Sequence, residues 1–118
     1  MNFQRWEIWL AHLDPVVGSE QGKIRPVLLI SRQGTIDVLP VITTVPITSR
    51  KPGRQVYPNE ALLPSGAGGL VNESIALCYQ IRTLDKSRFI RRIGLLQEMD
   101  LRKTVIEAML FHLPDSDS

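Results

Sequence analysis

Residues Asp14–Ser31 read DPVVGSEQGKIRPVLLIS, and this stretch decides how the rest of the chain is organised. It opens with turn-forming pairs, Asp-Pro and Gly-Ser, because proline fixes φ and glycine tolerates positive φ. It closes in a short run of branched apolar residues, Val27–Ile30, which predicts a buried strand. Arg25 directly precedes Pro26, where a charged side chain can project from a rigid base. The polar loop before it is either a solvated connection or a functional site, and composition alone favours the solvated connection.

The composition is that of an ordinary globular protein. The chain has 118 residues, of which 43% are hydrophobic and 22% charged, enough for one core. The net charge is +2, and the last residues, PDSDS, are acidic, so the remainder is modestly basic and permits an anionic partner. We expect a single domain at residues 1–113 and a disordered acidic tail at 114–118.

The single cysteine, Cys78, excludes an internal disulfide framework and is typical of a reducing compartment. The first ten residues are too short and too mixed for a signal peptide, and no apolar run approaches the length of a membrane span. We therefore expect a soluble cytoplasmic protein that does not contact a membrane.

The first half of the chain predicts strands joined by turns that contain proline and glycine. Trp6–Leu13 alternates imperfectly and predicts a first strand. The β-branched segment Leu39–Ile47 is the strongest strand signal in the chain. Pro40 and Pro46 cannot donate to a sheet, so they predict an edge position or a bulge near each end of that strand.

The second half predicts two more strand regions and one long helix. Gln55–Leu63 is a probable strand that Pro58 interrupts, and Pro64–Gly69 is predicted to be a flexible loop. Ser74–Thr83 is a further strand, or two strands separated near Cys78, and Gln97–Leu113 has the apolar periodicity of a helix. Together these elements predict a small barrel or twisted antiparallel sheet with the helix packed against it.

The densest basic run lies between the last strands and the helix. A charge run of this kind is usually a solvated face, and the alternative is a groove that binds a polyanion. Its cationic residues are Arg82, Lys86, Arg88, Arg91 and Arg92.

The chemistry is narrowed by the patterns that the sequence lacks. One Cys and two His cannot supply a zinc cluster, and we find no P-loop, GxGxxG or GxSxG pattern. Hydrolytic chemistry would then depend on arginine, hydroxyl and carboxylate groups, without a metal or cofactor. RNA cleavage suits these groups because the 2′-OH is an internal nucleophile, and the protein need only position the phosphate, assist proton transfer and stabilise negative charge.

Three blocks in order, GSEQGKIRPVLLIS (18–31), VPITS (45–49) and ALCYQIRTLDKSR (76–88), resemble the MazF/PemK (Kid) family of toxin endoribonucleases. The opening EIW and LDP segments match as well. The resemblance implies a mainly β, SH3-like barrel with a C-terminal helix, and a homodimer with single-stranded RNA in a groove at its interface. It implies metal-independent cleavage of mRNA to 2′,3′-cyclic phosphate and 5′-OH ends. A cognate antitoxin would cover the groove, and the toxin–antitoxin complex would bind DNA.

The same resemblance assigns roles to individual residues. Arg25, Thr48 and Glu20 match catalytic positions of the family. The predicted RNA-binding residues are Gln21, Lys23, Ser49, Arg50, Tyr79, Gln80, Arg82 and Lys86. No metal ligand is assigned.

The chain departs from the family pattern at three positions. Tyr79 replaces a common Asp that serves as a carboxylate in the Kid branch. Tyrosine, with a pKa of about 10, cannot act as a base near neutral pH but can stack on a nucleobase. This favours the MazF-like arrangement of arginine and threonine. Trp6 and His12 replace a usual Gly and a frequent Asp.

Two alternatives stay open at this point. One is a toxin of the same fold that inhibits DNA gyrase by binding. The other is a nucleic-acid-binding barrel whose basic run, Arg82 to Arg92, follows the phosphates.

Overall fold

The computed structural model describes residues 1–14, 18, 20 and 23–113. The predicted acidic tail, 114–118, and Gln21 in the opening loop lie outside the described residues.

The described residues form seven strands and two α-helices. In chain order these are β1 (Glu7–His12), β2 (Ile24–Leu29), α1 (Gln33–Val38), β3 (Val41–Ser49), β4 (Ala61–Leu63), β5 (Ser74–Ala76), β6 (Arg82–Asp85), β7 (Phe89–Leu95) and α2 (Met99–His112). Three short 3-10 turns lie at Ala67–Gly69, Cys78–Gln80 and Lys86–Arg88. The predicted mainly antiparallel β fold with a C-terminal helix is confirmed.

The sheet is antiparallel throughout and is organised around β3. Its strand order is β4-β5-β3-β2-β1-β7, with β6 paired to the first half of β3. One edge of β3 pairs with β2. The opposite edge pairs with β6 over Val41–Thr44 and then with β5 over Ile47–Ser49. The strand therefore changes partners along one edge, and this change curves the sheet.

Pro46 lies at this change of partner, and of the two predicted alternatives, an edge position or a bulge, the edge position is wrong. Its carbonyl accepts a hydrogen bond from the Leu77 backbone N–H at 2.9 Å. The nitrogen and carbonyl of one strand residue point to the same edge, so the missing N–H faces the gap between β6 and β5. Proline is tolerated in this central strand because no partner strand requires a donor there.

The sheet buries apolar side chains on both faces. One core includes Ile8, Leu28 and Val45 and extends to Val105 and Ala108 of α2. The opposite core has Trp9, Val27, Leu29, Ile36 and Phe89 at its centre, with Phe3 packed against it. Strands β1 and β2 contribute to both cores because successive strand residues point to opposite faces.

Two local predictions from the second half differ from the structure. Only Ala61–Leu63 of the predicted strand 55–63 pairs in the sheet, because residues 57–59 form a turn ahead of it. The segment 64–69 includes the 3-10 turn Ala67–Gly69, in which Ala67 and Gly68 are buried. A Cβ on Gly94 of β7 would meet the backbone of this turn, so the glycine permits close packing at that point.

Trp6 has a left-handed backbone conformation, with φ of +75°. A bulky residue is sterically disfavoured in this conformation, whereas glycine adopts it without strain. The indole is 8% exposed and lies between two guanidinium groups, those of Arg5 at 5.0 Å and Arg102 at 5.5 Å from the ring centroid. Burial and these cation–π contacts offset the strain and join the N-terminal segment to α2.

Candidate active site

The pairing of β2 with β3 sets Arg25 and Thr48 on one face of the sheet. Val27 lies opposite Pro46 in this antiparallel pair. Arg25 and Thr48 each lie two residues beyond this last pair of the β2–β3 ladder. Successive strand residues alternate between faces, so both side chains project to the face of the core that contains Val27 and Leu29.

The Arg25 side chain is exposed and makes no hydrogen bond or ion pair with any described residue. Its backbone is held by pairing with Ala11 of β1. A guanidinium keeps its charge at every physiological pH and presents a planar fork that matches phosphate oxygens. Arg25 is therefore a fixed cation available to an anionic ligand.

The base of the loop before Arg25 is held by backbone contacts. The Leu13 N–H donates to the Lys23 carbonyl at 2.7 Å, and the Lys23 N–H donates to the Asp14 carboxylate at 2.9 Å. Lys23 has φ of +61°, which turns the chain sharply into β2. The Arg88 guanidinium donates to the backbone carbonyls of His12 and Asp14. The predicted RNA-binding residue Lys23 is exposed at this rigid base.

A polar cleft of about 270 Å³ lies at the end of β3. The 3-10 turn Cys78–Gln80 forms one wall, because Leu77 is hydrogen-bonded to Pro46 and Gln80 N–H donates to the Leu77 carbonyl at 2.9 Å. Four predicted site residues therefore share one cleft. The lining residues are Thr48, Ser49, Lys51, Arg54, Leu77, Tyr79 and Gln80.

Lys51 and Arg54 belong to this cleft, but the sequence prediction did not assign them a role. They flank the Pro-Gly pair of the turn KPGR, and their charges were the available signal. The Arg54 guanidinium donates to both carboxylate oxygens of Glu60, at 2.9 and 2.7 Å. The Glu60 side chain is 2% exposed, and these bonds from Arg54 hold its pKa below the ordinary value despite burial. The pair anchors the cleft wall.

Arg50 also stabilises the loop beside the cleft. Its guanidinium donates to the Arg54 carbonyl at 2.9 Å and pairs with Glu73 at 3.3 Å. The predicted role of Arg50 in RNA binding therefore applies to a side chain that already has two protein partners.

Arg82 lies opposite Thr44 on the edge of β3 away from β2. Thr44 and Thr48 alternate onto the same face, so Arg82 and Arg25 flank β3 on that face. The Nη1 atom of Arg82 is buried and has no hydrogen-bond partner among the described residues. This atom is fully buried and is therefore not presented to a ligand, whereas the residue as a whole is half-buried.

Lys86 is not brought to the cleft. Its ammonium donates to the Ile36 carbonyl at 2.6 Å and lies 5.8 Å from the centroid of the Phe3 ring. It thereby joins α1 to the N-terminal segment.

Most of the basic run is used within the protein. Arg88 holds the loop base, and Arg92 donates to the buried carboxylate of Glu7, which also accepts from Gln4 N–H at 2.7 Å and Trp9 Nε1 at 3.1 Å. With Lys86 bound to α1, the run does not form a continuous groove lining. This weakens the alternative in which it follows the phosphates.

The remaining predicted residues are placed as follows. Glu20 is described and exposed. Burial raises the pKa of the Cys78 thiol to about 12, so it is not an activated nucleophile. Tyr79 is 38% exposed and meets the His112 ring edge-on at a centroid distance of 6.4 Å.

Among the residues that the structure describes there is neither a metal site nor a membrane-spanning helix. No group of three or more His, Cys, Asp or Glu residues in the described ranges is arranged to hold a metal ion. No helix of the described chain is long and apolar enough to cross a membrane.

The chain is similar to known toxins over most of its length. A family profile described as "PemK-like, MazF-like toxin of type II toxin-antitoxin system" matches residues 4–110. Endoribonuclease MazF9 of Mycobacterium tuberculosis is 36% identical over 115 residues, which cover 93% of this chain and 95% of that protein. Endoribonuclease MazF of Staphylococcus saprophyticus is 33% identical over 100 residues, covering 85% of this chain and 82% of that protein.

Solved structures give the same result. The Mycobacterium tuberculosis toxin MazF-mt6 superposes with a TM-score of 0.74 at 26% identity, covering 95% of this chain and 99% of that one. MazF from Deinococcus radiodurans gives a TM-score of 0.72 at 29% identity, with coverage of 92% and 94%. The curved sheet, the C-terminal helix and the matched sequence agree, and the chain belongs to the MazF/PemK family of type II toxin–antitoxin endoribonucleases.

Proposed function

We propose that this protein cleaves single-stranded mRNA without a metal ion or cofactor, leaving 2′,3′-cyclic phosphate and 5′-OH ends. The observation that carries the proposal is the β2–β3 register, which puts the unpaired Arg25 on the same face as Thr48, and Thr48 lines the polar cleft. Arginine and hydroxyl groups of this kind suit phosphate positioning and charge stabilisation.

In the proposed reaction the 2′-oxygen attacks phosphorus and the P–O5′ bond breaks. The 2′-OH proton passes to a base, and the departing 5′-oxygen takes up a proton. Arg25 binds the nonbridging phosphate oxygens as negative charge develops, and Thr48 hydrogen-bonds to the same phosphate. Glu20 is proposed as the proton acceptor, on the resemblance of its loop to the family.

RNA binding is proposed for the residues around that phosphate. Ser49, Tyr79, Gln80 and Lys51 line the cleft, and the half-buried Arg82 lies beside β3. Lys23 and Gln21 extend the set along the loop. Arg50 and Lys86 are left out of it because their charged groups already bind protein atoms.

A homodimer is part of the proposal. On α2 an apolar stripe begins with Ile106, which packs against the core. It continues to Leu110 and to Leu113 just after the helix, which are 64% and 59% exposed. Large apolar side chains exposed side by side mark an interaction surface. A second copy covering this stripe would bury it.

An antitoxin is the second proposed partner. MazE–MazF structures from Deinococcus radiodurans match this chain with a TM-score of 0.71 at 27% identity. We propose that a cognate antitoxin covers the RNA groove, that the complex binds DNA, and that the free toxin acts in the cytoplasm, where mRNA is available.

The test is cleavage of a long single-stranded RNA by the purified protein in EDTA. We expect discrete fragments with 5′-OH ends, which polynucleotide kinase labels without prior phosphatase treatment. Uncut RNA with folded protein would refute the proposal. Salt-dependent binding without cutting would support a binding module, and inhibition of DNA supercoiling by gyrase without RNA cutting would support the gyrase-inhibiting alternative.

A further inference from the structure

A second and larger cavity adjoins the polar cleft. Its volume is about 450 Å³, and two side chains, Arg54 and Tyr79, line both spaces. The two spaces therefore share the Arg54 and Tyr79 side chains as a common wall. Its other walls come from the segment before β4 and from the end of α2, through Tyr57, Pro58, Asn59, Glu60 and Phe111.

The two spaces differ in chemistry and in size. Hydroxyl, amide and cationic groups dominate the cleft, whereas three aromatic rings, Tyr57, Tyr79 and Phe111, line the larger cavity. These rings are 51%, 38% and 62% exposed. Exposed aromatic rings bind unpaired nucleobases by stacking. Pockets for small organic groups usually measure about 300–1,000 Å³, a range that includes the larger cavity but not the cleft.

The polar groups of the larger cavity have separate roles. Glu60 accepts from the Arg54 guanidinium and from the Tyr57 N–H at 3.0 Å, and its side chain is 2% exposed. It therefore fixes the wall and is not presented to a ligand. The side-chain amide of Asn59 makes no hydrogen bond to any described residue. An amide offers two donors and an acceptor, which match the edge of a base.

We propose that this cavity binds one nucleobase of the RNA, adjacent to the nucleotide whose phosphate lies in the cleft. Tyr79 and Phe111 stack on the base, and Asn59 hydrogen-bonds to its edge. The inference rests on the proposed function, because it names a subsite for the same RNA. It gives Tyr79, which replaces the common Asp of the family, a part in choosing the cut site.

The proposed dimer surface and this cavity use different sides of α2. Phe111 and Leu110 are consecutive residues of α2, so they project about 100° apart around the helix axis. Base binding at Phe111 therefore does not compete with a second copy on the stripe that contains Leu110. Coverage of Phe111 by a second copy is the rival explanation, and the test includes it.

The experiment begins by mapping the wild-type cut sites on a long RNA. Short RNAs with one cut site are then made, each lacking a single base at one position near the cut. Wild type, Phe111→Ala, Tyr79→Ala, Tyr79→Phe and Asn59→Ala are compared on every RNA. Val38→Ala is the matched control, because it removes an exposed apolar side chain far along the chain from the cavity.

We expect Phe111→Ala and Tyr79→Ala each to lower kcat/KM by roughly 5- to 150-fold on intact RNA. On the RNA that lacks the bound base, both losses should disappear, because a ring cannot stack on a missing base. Tyr79→Phe should lose less activity than Tyr79→Ala, since it keeps the ring that stacks. Asn59→Ala should relax base preference at that position only.

The inference is overturned if Phe111→Ala and Tyr79→Ala lower kcat/KM on every abasic RNA by the same factor as on intact RNA. It is also overturned if Phe111→Ala lowers the sedimentation mass, because the ring then belongs to a contact between copies. Failure of wild type to cut would reject the proposed function instead. In that case the same comparison of variants on intact and abasic RNAs, with Kd measured in place of kcat/KM, still tests the base subsite.

Discussion

Two arginines flank β1 and have opposite surroundings. Arg25 lies opposite Ala11 on one side and makes no ion pair with any described residue, whereas Arg92 lies opposite Trp9 on the other side and binds the buried Glu7 carboxylate. An arginine side chain is available to a ligand in the first case and is bound to a buried carboxylate in the second. Whether an arginine is already paired therefore separates candidate function from structure better than the local density of charge.

Removal of Arg25 should give the largest effect. Arg25→Ala should lower kcat for RNA cleavage by about 10²–10³-fold or more, because the developing phosphate charge loses its fixed cation. Single-turnover cleavage of one mapped RNA measures the loss. The unfolding free energy should change by no more than about 0.5 kcal/mol, since Arg25 has no described partner. If Arg25→Ala cleaves RNA as fast as wild type, the unpaired Arg25 is not required for cleavage.

Removal of Arg92 should instead affect stability. Arg92→Met keeps much of the side-chain length but leaves the Glu7 carboxylate without its charged partner, at a cost of about 1–3 kcal/mol. Urea unfolding measures this value. Arg91→Met is the matched control, because Arg91 is exposed on the same strand, has no described hydrogen bond, and should change stability by about 0.5 kcal/mol at most. Cleavage per folded molecule should be unchanged in Arg92→Met, and a selective loss of activity would contradict the structural role.

Arg54 combines both situations, since it lines the cleft and is paired to Glu60. Glu60→Gln should lower Tm by several degrees at pH 7 and by progressively less in acid. The Glu60 pKa is depressed in the fold, so its stabilisation is fully present above the ordinary value of about 4.3 and is lost as pH falls through the lower folded value. Thermal melts of both proteins between neutral and acidic pH measure the difference. Glu107→Gln, an exposed carboxylate on α2, controls for loss of surface charge. If the difference in Tm between wild type and Glu60→Gln stays constant with pH, the Arg54–Glu60 pair is not the source of the stabilisation.

Local sequence patterns predicted where the strands and the long helix lie better than they predicted which strands pair. β-Branched runs located β3, and helical periodicity located α2. Pro46 was predicted to lie at an edge or a bulge because a local rule cannot show that β3 changes from β6 to β5 at that residue. Trp6 could be matched to a usual glycine, but its positive φ is tolerated through Arg102, which is distant in sequence.

The site was predicted to a similar extent. The blocks shared with the family selected Thr48, Ser49, Tyr79 and Gln80, and the structure brings these four into one cleft. Lys51 and Arg54 were missed because a charged turn does not indicate where it folds. Lys86 was included in the RNA-binding set because its bond to the Ile36 carbonyl, fifty residues away, has no local signature.

The placement of β1 between β2 and β7 has a consequence for how the toxin is made. On the ribosome, β1 and β2 emerge early, but β7 and the α2 residue Arg102 that covers Trp6 emerge near the end. The nascent chain therefore cannot complete its sheet until almost all of it has been translated. A message cut within its own coding region would give fragments without β7, so the order of the strands links synthesis of the active enzyme to an intact transcript.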